Sequence, residues 1–306
     1  MIGRLLLVVV ALGVAAYAVL PAVAELPDLL ARAGFAAVAV LALVHMVPVA
    51  LCGAAWGRVM PRAGLGLMVA TRWVRDGFNE MLAVVPLAGE AVSLRLLAKR
   101  GIKPAAAAAG MVADLTAEVA AQLLFSLLGL GLWAMDVAGS QVLHWGVPGL
   151  AVAGVAAAGF VAVQHGGGFR LMEGMAARLL PNRRPVAGLH VQLMALYRRP
   201  RALAVATGLH LAAWLAACAE AWVGLRLLGH PISVTHAVML ESAVFALRSA
   251  AFVVPGALGL QEGGYALLGP LLGIPPAQAV GLSLLKRGRE LVLGLPALAA
   301  WARLGR

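Results

Sequence analysis

Charge is what this sequence holds least of. Its 306 residues include 24 Lys and Arg and 13 Asp and Glu, 12% in all, about half the share of a soluble domain. That scarcity excludes a water-soluble enzyme, a nucleic-acid module and a disordered chain. Cysteine is almost missing too: Cys52 and Cys218 each lie inside an apolar run, so no disulfide framework is expected. The signatures of soluble chemistry are likewise lacking. Seven histidines (His45, His144, His165, His190, His210, His230 and His236) are scattered without close metal-ligand spacing, and a packing role is the reading for them. Ser93, Ser126 and Ser140 stand outside any nucleophile elbow. Gly166–Gly167–Gly168 has no strand before it and no Lys–Ser/Thr after it, as a phosphate loop requires. Neither a metal nor a cofactor is expected, and no nucleic-acid partner.

What is present is hydrocarbon. Hydrophobic residues make up 62% of the chain, which at about 20 residues per pass allows about six to eight passes. The first apolar run, Leu5 to Ala24, follows Arg4 and ends in Ala22–Val23–Ala24. Its length reads as an uncleaved first helix, while its basic start and small-x-small end also fit a cleavable signal peptide. Five further spans run Phe35–Trp56, Ala105–Trp133, Leu143–Val163, Ala202–Leu228 and Pro276–Trp301. Trp56, Trp133 and Trp301 sit near span ends, where interfacial aromatic belts form. Two other stretches, 65–103 and 232–273, are apolar but broken by Pro86 and Gly89 in the first and by Pro255, Gly256, Gly259, Gly263 and Gly264 in the second. At membrane depth a broken backbone must be buried in protein or line a wet cavity. These stretches read as helical hairpins that enter and leave by one side, with pairs of kinked spans as the alternative. The fold class expected is an all-α membrane protein, about six transmembrane helices plus two re-entrant hairpins, in one polytopic domain over 1–306.

Loop charge orients the chain. Between Gln164 and Arg201 lie seven arginines (Arg170, Arg178, Arg183, Arg184, Arg198, Arg199, Arg201) against Glu173 alone, and Arg95, Lys99, Arg100 and Lys103 form a second basic flank. Basic loops stay inside, so 164–201 is expected to be a cytoplasmic loop, also able to meet anionic lipid headgroups, with both termini in the cytoplasm of a bacterial inner membrane.

An internal repeat organises the rest. Glu90 and Glu262 are each followed eleven residues on by a Gly–Ile pair, Gly101–Ile102–Lys103–Pro104 and Gly273–Ile274–Pro275–Pro276. The same offset of 172 pairs Glu118 with Glu290 and Asp114 with Lys286; upstream, with a three-residue shift, Pro86 aligns with Pro255 and Asn79 with Arg248. Residues 57–133 form the first repeat and 232–306 the second. Three spans between them invert the second copy, and its basic flank is replaced by Leu267, Leu271, Leu272 and Pro275. Inverted repeats with broken helices near the midplane are the architecture of secondary transporters.

Ten charges fall in or beside membrane depth: Arg75, Glu90, Asp114, Glu118, Arg248, Glu262, Lys286, Arg287, Arg289 and Glu290. Each costs about 2.5–3.5 kcal/mol at a helix centre on insertion scales, and five against five they neutralise one another. Asp76, Glu80, Glu220, Arg226 and Glu241 have no depth assigned from sequence. Asp114, Glu118 and Gln122 share one helix face, and Lys286, Arg289 and Glu290 another; a repeat axis would bring the two faces together. At the hairpin turns the exposed amides of a broken helix favour anions, and Arg75 and Arg248 upstream could hold a phosphate bidentately.

Arg75…Asn79…Pro86-x-x-Gly89-Glu90…Arg95, followed by Asp114 and Glu118, and later Pro255-Gly256-x-x-Gly259-x-x-Glu262-Gly263 before a Gly–Ile–Pro helix start, resemble the flippase-like membrane domain of lysylphosphatidylglycerol synthases. The resemblance covers nearly the whole chain. The soluble aminoacylating domain of those synthases has no counterpart in this sequence, so it implies lipid movement without aminoacyl transfer. The Arg72–Trp73–Val74–Arg75 stretch leans toward the hopanoid-biosynthesis-associated branch, whereas Gln261 and Lys286–Arg287–Gly288–Arg289 depart from the family pattern and leave the lipid open. Arg75, Asn79, Glu90, Arg95, Arg248, Gln261 and Glu262 are the substrate-binding candidates. Asp114, Glu118, Gln122, Lys286, Arg287, Arg289 and Glu290 form an intramembrane charge network, whose carboxylates balance the cations or carry a coupled proton. The function expected is a flippase-like transporter, not an enzyme, with membrane lipids as its partners: a polar or anionic lipid, a hopanoid or a phospholipid, moves between leaflets through a charged cavity between the hairpins as one repeat rocks against the other. The alternatives are a scaffold for lipid synthesis and an intramembrane polyprenyl-diphosphate phosphatase. Pro255–Gly256 is faintly similar to the phosphatase turn, but Leu258–Gly259 stand where its Ser–Arg pair is needed.

Overall fold

The computed structural model describes residues 19–60, 63–82, 85, 87–136, 139–166, 188–250 and 259–304. Most of the first apolar run, the turn residues Pro86 and Pro255–Leu258, and Arg170, Glu173, Arg178, Arg183 and Arg184 lie outside them. Among the described residues the regular structure is entirely helical: α1 Leu26–Val59, α2 Leu65–Met81, α3 Ala88–Lys99, α4 Pro104–Met135, α5 Gly139–His165, α6 Leu189–Tyr197, α7 Pro200–Leu227, α8 Val234–Ala250, α9 Leu260–Leu268 and α10 Pro276–Leu304, with short 3₁₀ turns at Leu20–Ala22 and Pro270–Leu272. Four of them, α1, α4, the Gly146–His165 part of α5, and α7, are long and apolar enough to cross a membrane. α10 has the length, but Lys286, Arg287, Arg289 and Glu290 interrupt its apolar run. Large hydrophobics such as Phe35, Leu43, Val152 and Val155 are exposed along these helices, as lipid-facing surface requires. Cys52 and Cys218 are free.

Local sequence explains where the helices stop. α1 breaks at Gly34, whose φ of 66° and ψ of 178° only glycine adopts without strain, so its continuous part begins at Phe35, where the apolar run starts. The Gly–Ile–Pro sequences build one turn twice. Gly101 and Gly273 take positive φ, 81° and 73°, and Ile102 and Ile274 donate their amides back five residues, to the carbonyls of Leu97 and Gly269, at 3.1 and 3.0 Å. This is the left-handed helix stop of the Schellman type. Pro104 and Pro276 then open α4 and α10, first-turn positions where a missing N–H costs nothing.

The helix bounds keep the offsets of the sequence repeat. α2 and α8 are both 17 residues long and their bounds differ by 169; α3 and α9 start 172 apart, as do α4 and α10. The three-residue change falls in the linkers 82–87 and 251–259. With 12 and nine residues, α3 and α9 rise about 18 and 13.5 Å, well short of an apolar core of about 30 Å. Neither crosses it alone.

Two compact units divide these helices. One gathers Met1–Val47, Phe125–Leu150 and Leu215–Leu293, the other Pro48–Leu124, Ala151–Trp214 and Gly294–Arg306. In the second, the hairpin α2–α3 packs through Met68, Leu97, Val74, Phe78 and Val92 on Trp56 and Val59 of α1, Ala113 and Ala117 of α4, and Leu298 and Trp301 of α10. The stretch 164–201 is not simply a loop. Its α6 buries Leu189, His190 and Leu193 in this core, because the i, i+4 pair Leu189 and Leu193 gives a short helix one apolar stripe. The aromatic-belt reading also needs correction: Trp56 and Trp133 are buried, and the Trp133 indole N–H donates to the Met239 carbonyl at 2.9 Å.

Close approach in this unit depends on small residues. A Cβ on Gly53 of α1 would lie 2.6 Å from the Val69 Cα of α2, a backbone atom that no rotamer change can move. Gly53→Leu should therefore cost at least the about 1–3 kcal/mol of overpacking, seen as a lower thermal midpoint in size-exclusion profiles of heated detergent-solubilised protein. An unchanged midpoint would contradict the crossing.

Candidate functional site

The charges expected at depth are present, and all but Glu290, whose partners Arg287 and Arg289 share its helix, meet a group on another helix of their own unit. In the Pro48–Leu124 unit, Arg72 of α2 presents a fork to Glu118 of α4: Nη2 and Nη1 donate to the two carboxylate oxygens at 2.8 and 3.0 Å. Its Nε donates to Asp76 one turn on, at 2.7 Å. Such a bidentate pair is the strongest geometry available to arginine and carboxylate. Arg75, one turn along α2, donates from Nε to Glu90 of α3 at 3.1 Å and lies 3.7 Å from both Asp114 and Glu118. The guanidinium also stands 5.8 Å from the centre of the Trp56 ring, within cation–π range.

The hairpin tip is clipped by Asn79. Its Oδ1 accepts the Gly89 amide at 2.9 Å, and its Nδ2 donates to Glu90 at 3.2 Å. The first-turn amide freed by the helix start is thereby satisfied from a side chain, and Glu90 complements the helix dipole. A Cβ on Gly89 would fall 2.2 Å from the Arg75 carbonyl, so the tip can sit there only because residue 89 is glycine. Leu87, just before it, has φ 61°, a left-handed conformation rare for a branched side chain. Gly259 holds the equivalent place in the other hairpin with φ 76°.

Behind this pair lies Asp114, wholly buried. One carboxylate oxygen meets Nε2 of buried His210 on α7 at 2.9 Å; the other is 3.7 Å from Arg75 and 3.9 Å from Arg72 and has no hydrogen bond. Asp114, Glu118 and His210 bring candidate ligand atoms within 4.8 Å of one another. Arg72 and Arg75 lie against the same two carboxylates, so the set is part of an ion-pair cluster.

The Leu215–Leu293 unit repeats the plan with its signs exchanged. Arg72 and Asp114 have Glu241 and Lys286 at the equivalent positions, and these two form their own pair at 2.7 Å. The Tyr265 hydroxyl closes the triangle, donating to Glu241 at 2.6 Å and accepting from Lys286 at 2.9 Å. Arg287 joins Glu262 of the tip to Glu290, at 3.0 and 2.9 Å. Arg289 lies 3.5 Å from Glu220, which also meets His45 at 2.5 Å. Arg248, in the place of Asn79, donates to Gln261 at 2.6 Å, and Gln261 donates to Ser283 at 3.1 Å.

Most of the candidates from sequence are therefore gathered at two clusters. Arg95 is not: it is exposed on α3, five residues beyond Glu90. Gln122 is half-buried one turn past Glu118. Arg75 and Arg248, expected to be open phosphate clamps, are engaged by Glu90 and Gln261. Sequence reasoning missed Arg72, His45 and His210 and left Asp76, Glu220 and Glu241 without a place. One available signal was the offset itself, which sets Arg72–Asp114 against Glu241–Lys286, a charge-reversed pair. Away from the charges, α4 and α5 border an open apolar pocket of about 560 Å³ lined by Val119, Leu123, Phe160 and Val161. Thr116 at its edge bonds Tyr197 and Gln164.

Residues 4–297 match the model of a family described as the lysylphosphatidylglycerol synthase TM region. No curated protein and no solved structure matches the chain.

The Lys286–Glu241 pair is open to a direct test. Lys286→Met strands a buried carboxylate and should cost about 3–5 kcal/mol, whereas adding Glu241→Gln should recover much of that loss. Thermal unfolding of the two single variants and the double variant reads the coupling. Additive losses would mean that the pair does not act as one.

Proposed function

The chain belongs to the lysylphosphatidylglycerol synthase TM family, and from that premise we propose that it is a flippase-like transporter, not an enzyme, that moves a polar or anionic lipid between the leaflets of the bacterial inner membrane. The observation that carries this reading is the placement of carboxylate–arginine pairs at both hairpin tips. Glu90 with Arg75 and Glu262 with Arg287 occupy the first turns of α3 and α9, and both glutamates are partly exposed, 21% and 18%. Pairs that only pinned helices would be weak contributors to stability and would gain nothing from standing open at a broken helix.

A lipid phosphate has the charge and geometry to compete with each tip glutamate for its arginine. When the headgroup takes the guanidinium, Glu90 is released from Arg75 and the tip keeps only the Asn79 clip to α2; when it leaves, the internal pair reforms. An ion pair that can be exchanged lets a charged headgroup pass through an apolar medium without ever stranding a bare charge. The apolar pocket between α4 and α5 offers walls for an acyl or polycyclic tail. The positive-inside rule supports two re-entrant hairpins inserted from opposite sides, with both termini in the cytoplasm. A hopanoid-linked lipid and a phospholipid fit these features equally.

The neutral variants Glu90→Gln and Glu262→Gln should each reduce translocation of fluorescent phosphatidylglycerol in proteoliposomes at least tenfold, a loss of about 1.4 kcal/mol or more, with the size-exclusion profile unchanged. Full activity in both would sink the assignment of the tips. Release of phosphate from a polyprenyl diphosphate by the same preparation would overturn the transport reading in favour of the phosphatase.

A further inference from the structure

The two clusters differ in balance. Around Lys286, four carboxylates (Glu220, Glu241, Glu262, Glu290) pair with three cations (Lys286, Arg287, Arg289), and a fourth, Arg248, bonds Gln261 beside them. Around Arg72 and Arg75, two guanidiniums face four carboxylates: Asp76, Glu90, Asp114 and Glu118. An excess of two negative charges around buried arginines carries a desolvation cost. A group able to supply positive charge stands inside this cluster. His210 is fully buried against Asp114, and its Nδ1 has no hydrogen-bond partner. Asp114 and His210 each lie ten residues into their helices, about 15 Å along the axis from the first residue.

We propose that the His210–Asp114 dyad is the proton-binding site of this transporter and couples lipid movement to a proton gradient; the inference rests on the transport reading above. The groups facing the imidazole are the Cys52 thiol on α1 and Asp114 and Glu118 on α4, with Arg72 and Arg75 of α2 beside the other oxygen of Asp114. Asp114 fixes the tautomer: its oxygen accepts the Nε2 hydrogen, which leaves the Nδ1 lone pair as the basic position. A proton taken up at Nδ1 converts the imidazole to imidazolium, and no other bond changes. The cluster then lacks one positive charge instead of two. The new cation competes with Arg72 and Arg75 for Asp114 and Glu118, which loosens the hold of the carboxylates on Arg75, the residue that also holds Glu90 at the tip. A lipid phosphate reaching Arg75 is thereby favoured in the protonated state, and release of the Nδ1 proton restores the internal pairs.

The test uses the full chain in vesicles of phosphatidylethanolamine and phosphatidylglycerol, with fluorescent phosphatidylglycerol as probe, an enclosed pH dye and an imposed pH gradient. One proton per lipid makes each pH unit worth up to about tenfold in driving force. Wild-type protein should move the probe faster with the gradient than without it, with proton uptake in step, and His210→Gln should lose both responses. In ¹⁵N-histidine NMR the imidazole signal absent from His210→Gln should titrate; if that variant fails to accumulate, Asp114→Asn, which removes the negative charge beside Nε2, should shift the midpoint of the same signal. An imidazole fixed in one protonation state, or a gradient response kept by His210→Gln, overturns the proton site while the transporter stands. Probe movement indifferent to the gradient in wild type overturns the coupling. A probe that stays in place under every condition overturns the transport reading itself, and the coupling with it.

Discussion

The structure depends on pairing each buried cation with a carboxylate from a different helix. In an apolar medium a lone guanidinium or carboxylate is costly enough to decide how helices associate, whereas apolar side chains gain little from exchanging lipid for one another. Arg72 with Glu118, Arg75 with Glu90, Lys286 with Glu241 and Arg287 with Glu262 each join a hairpin to a neighbour or to its own second arm. A hairpin arm of nine or 12 residues is too short to be held by the bilayer alone. The pairs, with close crossings such as Gly53 on Val69 and the Asn79 clip on Gly89, hold it in place.

Much of this frame was legible before any coordinates. The Gly–Ile–Pro element could be read because each residue answers a backbone requirement: positive φ, a back-bonded amide, and a helix start that needs no donor. Such requirements are local, so the spacing of 172 carries straight into the bounds of α3, α4, α9 and α10. The three-residue shift upstream reappears as the longer linker 251–259. Deep charge was legible too, since carboxylates inside apolar runs announce themselves by cost.

Depth of pairing was not. Arg72 sits in an amphipathic helix whose sequence resembles a surface stripe, and only the fold turns it toward Glu118, 46 residues away. His210 reads as a packing residue within α7; its meaning comes from Asp114, 96 residues distant. Trp56 and Trp133 fall near helix ends, yet both rings are buried, because Trp56 packs in the core beside Met68 and Leu97 and Trp133 bonds the Met239 carbonyl. In α6, Leu189 and Leu193 are hidden among arginines that dominate any reading of charge. In each case the deciding quantity is a contact between segments far apart in sequence, which hydropathy does not encode.

The charge reversal between copies exposes the constraint most plainly. Position for position, Arg72 becomes Glu241 and Asp114 becomes Lys286, so what the two units share is the pair and not its residues. A pure pinning role would be indifferent to sign. The signs alter the surroundings, however. With its cations on α10, the second cluster closes on itself through Tyr265 and comes closer to balance. With its cations on the hairpin, the first gathers carboxylates from α3 and α4 around Arg75 and ends two positive charges short. A balanced cluster has no electrostatic reason to change; a deficient one responds to any cation or proton that reaches it. The same fold repeated with reversed pairs thus leaves the two units with different charge surroundings, which identical copies would not have.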